Sequence, residues 1–402
     1  MNIIRYIVLW MIGLCLCPVA WADGSLYASR SVLSEGRWVK LRIDETGIYR
    51  LSYDDLRSMG FSDPARVSVH GYGGWPLDED FSQPYIDDLP ATPVWRGDDY
   101  ILFYGRGPIR WDYNVSTGAF EHTNNPYSLY GYYFVTDATE TSDMPLEASV
   151  DGATVRVTAF DDYLLHEQDL VSVNQSGREF FGEDFSGARP RTISTFSSIP
   201  GITNDEGEVT MRFIARVNSG SGVATLSLNG SELLRVTIPS IQTVDSRTRA
   251  YTRAIARSET VRWSGEKSET NEVVVSYGSS GHENVYLDYI RMQFVRALRP
   301  YGACTFFRSV ASIGNASRFI ISDADASTFV FDVTDPTDVK RMETTLEGSE
   351  LSFSIPAGDL REFAIVRTNQ SLPAPEVVGE VANSDLHGLE QRNMIIIAAP
   401  AL

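Results

Sequence analysis

Cysteine is scarce. The chain has three, and two of them, Cys15 and Cys17, fall inside its apolar N-terminal stretch, so a chain trimmed of that stretch keeps only Cys304 and has no internal disulfide. A long apolar run is missing as well: about ten residues after Arg5 are apolar, where a membrane-crossing helix needs roughly twenty. Basic charge is in deficit, with 34 basic residues against 53 acidic ones and a formal net charge of −19. Nucleic acid or an anionic lipid surface would be repelled, which counts against both as partners. The chain has no Gly-x-x-x-x-Gly-Lys phosphate loop and no Gly-x-Ser-x-Gly elbow. Helix signals are almost absent, and no internal repeat is found.

What is present begins with an export signal over residues 1–22. Arg5 supplies the positive start, residues 7–16 the apolar stretch, and Ala20-Trp21-Ala22 the small-x-small pattern before Asp23. The chain is expected to be exported and to begin at Asp23 once cleaved. Some 380 residues without a disulfide must rest on hydrophobic cores of their own, which at this length means two or three.

The one clear helix lies over residues 52–59, where Ser52 caps, Asp55 takes the third helical position and Gly60 supplies the stop. Short alternating runs at residues 38–43, 67–70, 100–104, 223–228, 272–277, 317–322, 351–355 and 363–367 predict strands. The fold class is therefore mainly β, as consecutive β-rich domains with one short early helix. Residues 23–150 form an aromatic-rich β domain. Residues 151–298 read as a β-sandwich, with a hairpin turn at Asn229-Gly230 and a closing strand pair over 271–295. Residues 299–372 add a further β domain, and 373–392 read as an extended linker. Residues 393–402, an unbroken apolar run, read as a strand buried on both faces, the first strand of a domain the chain does not contain. Truncation near residue 372 is accordingly expected to raise solubility without lowering thermal stability.

Few residues carry the marks of chemistry. Cys304 sits in an apolar and aromatic setting with no neighbouring His or Lys, so it reads as a buried structural cysteine and not a nucleophile. His70, His122, His166, His282 and His387 are scattered without metal-ligand spacing. The acidic pairs Asp44/Glu45, Asp161/Asp162 and Glu183/Asp184 read as solvated turns, because neighbours on a strand point to opposite faces and cannot act on one bond. Asp323 and Asp325 are spaced as calcium ligands can be, with a solvated turn the plainer reading. Asn-x-Ser sequons begin at Asn114, Asn174, Asn229, Asn315 and Asn369. The aromatic residues from Trp95 to Phe134 read as core and cross-strand pairs before a sugar platform. No catalytic, cofactor-binding or metal residue is assigned, and no cofactor is expected.

The run Asp44-Glu45-Thr46-Gly47-Ile48-Tyr49-Arg50-Leu51-Ser52-Tyr53-Asp54-Asp55-Leu56, followed by Met59-Gly60-Phe61 and by Val69-His70-Gly71-Tyr72-Gly73-Gly74, resembles the N-terminal region of the PorU family, the sortases of the type IX secretion system. So do Asp98-Asp99-Tyr100-Ile101-Leu102-Phe103-Tyr104-Gly105 with Trp111, Asn125-x-Tyr127-Ser128 with Tyr132-Tyr133-Phe134, and Phe331-Asp332-Val333-Thr334-Asp335. The terminal Met394-Ile395-Ile396-Ile397 is similar to the opening strand of the gingipain-type cysteine peptidase domain. The resemblance implies a cell-surface, outer-membrane-associated cysteine peptidase and transpeptidase that removes C-terminal sorting domains from secreted cargo and attaches the cargo to anionic lipopolysaccharide. It places the catalytic His and Cys on a caspase-like α/β domain past Leu402, so this chain is expected to be inactive alone. The implied partners are the secreted cargo, an outer-membrane barrel and the C-terminal peptidase domain. The alternative from another class is a secreted carbohydrate-binding or adhesin-like β module.

Overall fold

The computed structural model describes residues 27–390, 394 and 396, apart from 81, 83–85, 174, 176, 188, 242–251 and 279–281. The export signal lies outside the described residues, as does most of the final apolar run; of that run Met394 and Ile396 are described, and both are exposed. Among the described residues the chain is mainly β with one α-helix, as its alternating runs require.

That helix, Tyr53–Ser58, is set by its ends. The Ser52 hydroxyl accepts from the Asp55 N–H at 3.0 Å while the Asp55 carboxylate accepts from the Ser52 N–H at 3.2 Å, a reciprocal cap. Gly60, at φ +95°, closes the last turn by donating to the Arg57 carbonyl. Leu56 is the residue it buries.

Two sheets sandwich the first core. One runs Glu376–Val381, Trp38–Ile43, Gly131–Thr136, Ser68–Gly73, Ala91–Thr92; the other runs Gly47–Ser52, Tyr100–Gly105, Val94–Arg96. The second is apolar on both faces. Tyr49, Leu51, Ile101 and Phe103 point into the first core, while their neighbours Ile48, Leu102 and Tyr104 pack on Phe331, Ala364 and Val366 of a different sheet. Period-two alternation with apolar residues in both phases thus fastens the aromatic-rich unit to the rest of the molecule.

The sheet it meets has nine strands, in the order Leu146–Glu147, Lys340–Met342, Thr328–Asp332, Glu362–Arg367, Cys304–Arg308, Ala159–Glu167, His282–Ala297, Gly207–Val217 and Ile255–Trp263. Two four-stranded sheets cover it. Arg191–Thr192, Val273–Gly278, Ser221–Leu228 and Ser231–Pro239 enclose a core that includes Phe196, Phe213, Leu226, Val275 and Leu287. Val155–Val157, Ser317–Ile321, Glu350–Ile355 and Thr345–Glu347 enclose a second, built on Phe160, Phe307, Phe319, Phe353 and Phe363. The Asn229-Gly230 turn has φ of +51° and +80°, as a two-residue hairpin needs.

Two expectations are corrected. The strands over 271–295 do not pair with each other: Val273–Gly278 joins the covering sheet and His282–Ala297 the nine-stranded one, because each pairs with a strand of its own sheet, Ser221–Leu228 and Gly207–Val217, both longer than Val273–Gly278. The segment read as a linker holds a strand, Glu376–Val381, hydrogen-bonded antiparallel to Trp38–Ile43 with Arg42 paired to Glu376. Truncation near residue 372 would therefore strip an edge from the first sheet. Beyond it His387 hydrogen-bonds Ser31 at 2.8 Å and Asp87 at 3.0 Å, and the Asp87 bond raises its pKa.

Asp325 lies in the turn after Ser317–Ile321. Its carboxylate accepts from the Ser327 hydroxyl, the Ser327 N–H at 2.8 Å and Arg367 at 3.2 Å, with the Ser327 bonds the main cause of a pKa held down to about 2. A depressed carboxylate stabilises the folded state above its unfolded pKa of about 3.9. That contribution is lost as the pH falls through about 2. Chemical denaturation should find wild type more stable than Asp325→Asn at neutral pH, with the gap closing below pH of about 3.9.

Candidate functional site

Alternation along Cys304–Arg308 turns Phe307 into the phenylalanine core and sets Cys304, Phe306 and Arg308 on the opposite face. That face forms one wall of a cleft of about 420 Å³ between the aromatic-rich unit and the nine-stranded sheet. The facing wall carries Asp44, Glu45, Trp75 and Trp111, and the floor carries Asp162 and Tyr163.

Arg308 is the centre of its electrostatics. It is 2% exposed and donates to Glu362 at 2.7 Å and to the Asp161 carbonyl at 3.2 Å, with Asp162 at 3.6 Å and its guanidinium 4.4 Å from the Tyr163 ring centre. Burial alone would weaken its charge, and Glu362 and Asp162 more than offset that. Arg296 donates to Asp162 at 2.7 Å and lies 3.7 Å over the ring of Tyr301. Trp111 stacks on Tyr163 with ring centres 3.8 Å apart. Among the described residues two wall donors, Trp75 Nε1 and Arg308 Nε, have no acceptor.

Cys304 lines the cleft half-buried, and burial pushes its thiol up to about 12. A thiol so shifted is almost wholly protonated at neutral pH. The histidines stay apart. His70 is buried beside Ser68 and Thr139 with its pKa lowered by burial, His122 meets Glu167 at 2.9 Å, and His166 meets Glu183 at 2.7 Å. The side chain of His282 lies outside the described residues. Among the described residues no group of three metal-ligating side chains is found.

The acidic pairs divide. Asp44/Glu45 is an exposed turn, as expected. Asp161/Asp162 is not a solvated turn: it lies within Ala159–Glu167, where Asp161 accepts from the Val310 N–H at 2.7 Å and is raised by burial while Asp162 neutralises Arg296 and Arg308. Glu183 is held by His166, so it too is not free in solvent. Asp323 pairs with Arg299 at 3.3 Å. The aromatic rings are largely engaged with one another, Trp95 with Tyr100 and Phe329, Tyr113 with Phe120, Trp111 with Tyr163. Sequence reasoning missed Arg308, Arg296 and Tyr163. The one available signal was the position of Arg308 two and four residues after Phe306 and Cys304, in phase with an apolar strand face.

Fold and cleft together define a multi-sheet β protein with an acid-rimmed, aromatic-walled groove. The chain is similar to dimeric latent PorU from Porphyromonas gingivalis, with 32% identity and a TM-score of 0.81 over 91% of this chain and 35% of that one. It is a PorU-like protein, matching the N-terminal region of that relative and spanning about a third of its length. Lower matches include BuGH86wt in complex with neoagarooctaose (11% identity, TM-score 0.19, 65% of this chain and 32% of that one). Another is the insecticidal delta-endotoxin Cry8Ea1 from Bacillus thuringiensis (11%, 0.17, 63% and 52%). Neither carries an argument. No family model matches the chain, and no curated protein matches it.

Proposed function

We propose that the chain is the non-catalytic front region of a type IX secretion sortase, a cell-surface cysteine peptidase and transpeptidase that removes C-terminal sorting domains from cargo and joins the cargo to anionic lipopolysaccharide. The observation that carries this reading is the match to PorU across 91% of the chain. On it, the β units support a peptidase domain that supplies the nucleophilic Cys and its His, and they help to seat cargo or an outer-membrane barrel. The setting of Cys304 supports a spectator role: a cysteine nucleophile acts as thiolate, and this thiol is pushed up to about 12. Among the described residues no helix is long and apolar enough to cross a membrane.

The experiment is made in the cells that carry the gene. Deleting the gene should leave cargo with its sorting domains attached, and Cys304→Ser in the complete protein should process cargo at the wild-type rate. Normal processing in the deletion strain would sink the secretion reading. A well-folded Cys304→Ser protein that no longer processes cargo would instead make Cys304 the nucleophile.

A further inference from the structure

After the edge strand Glu376–Val381 the chain lies against its own N-terminal segment. Asn383 donates to the Leu33 and Gly36 carbonyls at 3.1 and 2.9 Å, and the Ser384 N–H donates to the Leu33 carbonyl at 3.1 Å. Asp385 accepts from the Ser31 and Gly388 N–H groups at 2.8 and 2.9 Å. His387 stands at the centre. Its Nδ1 is 2.8 Å from the Ser31 hydroxyl and 4.0 Å from Asp88, and its Nε2 is 3.0 Å from Asp87. Asp87 and Asp88 are fixed in turn, accepting from the N–H groups of Ala28 and Val32, the latter at 2.7 Å. Ser31 is 7% exposed and its hydroxyl also accepts from the His387 N–H at 3.2 Å, so this alignment of serine, histidine and aspartate fastens three chain segments together and does not present a nucleophile. Three carboxylates thus converge on one imidazole. Among the described residues the cations in reach are His387 itself and Arg30, and Arg30 also serves Glu35 at 3.2 Å.

We propose that this tie is a pH-operated latch: the His387 imidazolium, seated between Ser31, Asp87 and Asp88, docks residues 383–389 on the N-terminal segment, and its deprotonation loosens them while the strand before them stays paired. An imidazolium donates from both nitrogens, to Ser31 and to Asp87, and carries the charge that the carboxylates face; a neutral ring keeps one N–H and no charge. The Asp87 hydrogen bond, with the charges of Asp87 and Asp88 behind it, raises the His387 pKa. A raised histidine contributes its full stabilisation below its unfolded value of about 6.5 and loses it as the pH rises through the folded value. Asp87 and Asp385 do not switch in that range, since the Ala28 and Ser31 N–H groups hold them below the usual carboxylate value. The latch is therefore shut in mild acid and open in mild base. Its release is local, because Glu376–Val381 is held by its backbone ladder and by Arg42–Glu376 and Arg37–Glu380, pairs in which the guanidinium keeps its charge. What the latch controls is the tether between that strand and the apolar run at 393–402. The inference rests on this contact alone and stands or falls apart from the secretion reading.

Hydrogen exchange of the complete protein, read by mass spectrometry, tests it in two ways. Exchange of the imidazole C2 hydrogen should give His387 a titration midpoint above about 6.5, falling back toward that value in Asp87→Asn. Amide protection over 383–389, corrected for the intrinsic rate, should drop about two- to fivefold between about pH 5.5 and about pH 8.5, the size expected of a partly exposed ion pair. Protection of Trp38–Ile43 and Glu376–Val381 should hold across the same range. His387→Gln, a substitution on the surface, should show the lower protection of 383–389 at both pH values. A His387 midpoint at or below about 6.5, protection of 383–389 that ignores pH, an equal loss over Glu376–Val381, or a His387→Gln protein with wild-type protection in acid would each overturn the latch.

Discussion

Phe307→Ala should lower stability by about 3–5 kcal/mol, the range for removing a fully enclosed phenyl ring. Phe307 is 0% exposed and touches four other rings, with centres at 6.3 Å to Phe160, 5.7 Å to Phe319, 6.3 Å to Phe353 and 5.3 Å to Phe363. Those neighbours also pack on each other, Phe319 on Phe353 at 5.1 Å and Phe353 on Phe363 at 5.1 Å, so none is free to swing into the space left behind. They stand on separate strands of two sheets, and closing the cavity would require the sheets themselves to approach. Urea denaturation with an unchanged slope is the measurement. A loss below about 1 kcal/mol would mean that the site collapses and that the five rings do not act as one packed unit.

Arg308→Ala should cost about as much, roughly 3–5 kcal/mol, for an electrostatic reason. Removing the guanidinium strands Glu362, which it meets at 2.7 Å, whereas Asp162 keeps Arg296 as its counter-charge. Most of the loss is then the penalty of the Glu362 carboxylate left without a counter-charge, so adding Glu362→Gln to Arg308→Ala should recover part of it. A single variant within about 0.5 kcal/mol of wild type would show the pair to be a solvated surface contact. Failure of the second substitution to recover anything would assign the loss to packing against Tyr163.

The reach of sequence reasoning follows the range of the forces. The helix at Tyr53–Ser58 was legible because its cap, its stop and its buried residue lie within nine positions of one another. The strands were legible because period-two alternation is local, and mainly β followed from them. What the sequence could not disclose was partnership. Val273–Gly278 and His282–Ala297 look like a hairpin, and only the competing edges of Ser221–Leu228 and Gly207–Val217 decide otherwise. Asp162 and Arg308 are polar residues in strands of middling hydropathy, and nothing local says that they meet. The cleft was hidden for the same reason: its walls come from residues near 44, 75, 111, 163 and 308.

The antiparallel pairing of Glu376–Val381 with Trp38–Ile43 also sets a timetable. A ribosome or an export channel delivers Trp38 first and Glu376 more than three hundred residues later, so the edge of the first sheet stands open throughout that interval. Loop closure over that distance is slow compared with the local hairpins. The nascent chain therefore passes through a long-lived state in which Val39 and Leu41 stand beside a row of unpaired amides, a template for association with any other extended segment. A chaperone that shields extended strands would act on this protein in that interval and have nothing left to hold once residue 381 had emerged and docked.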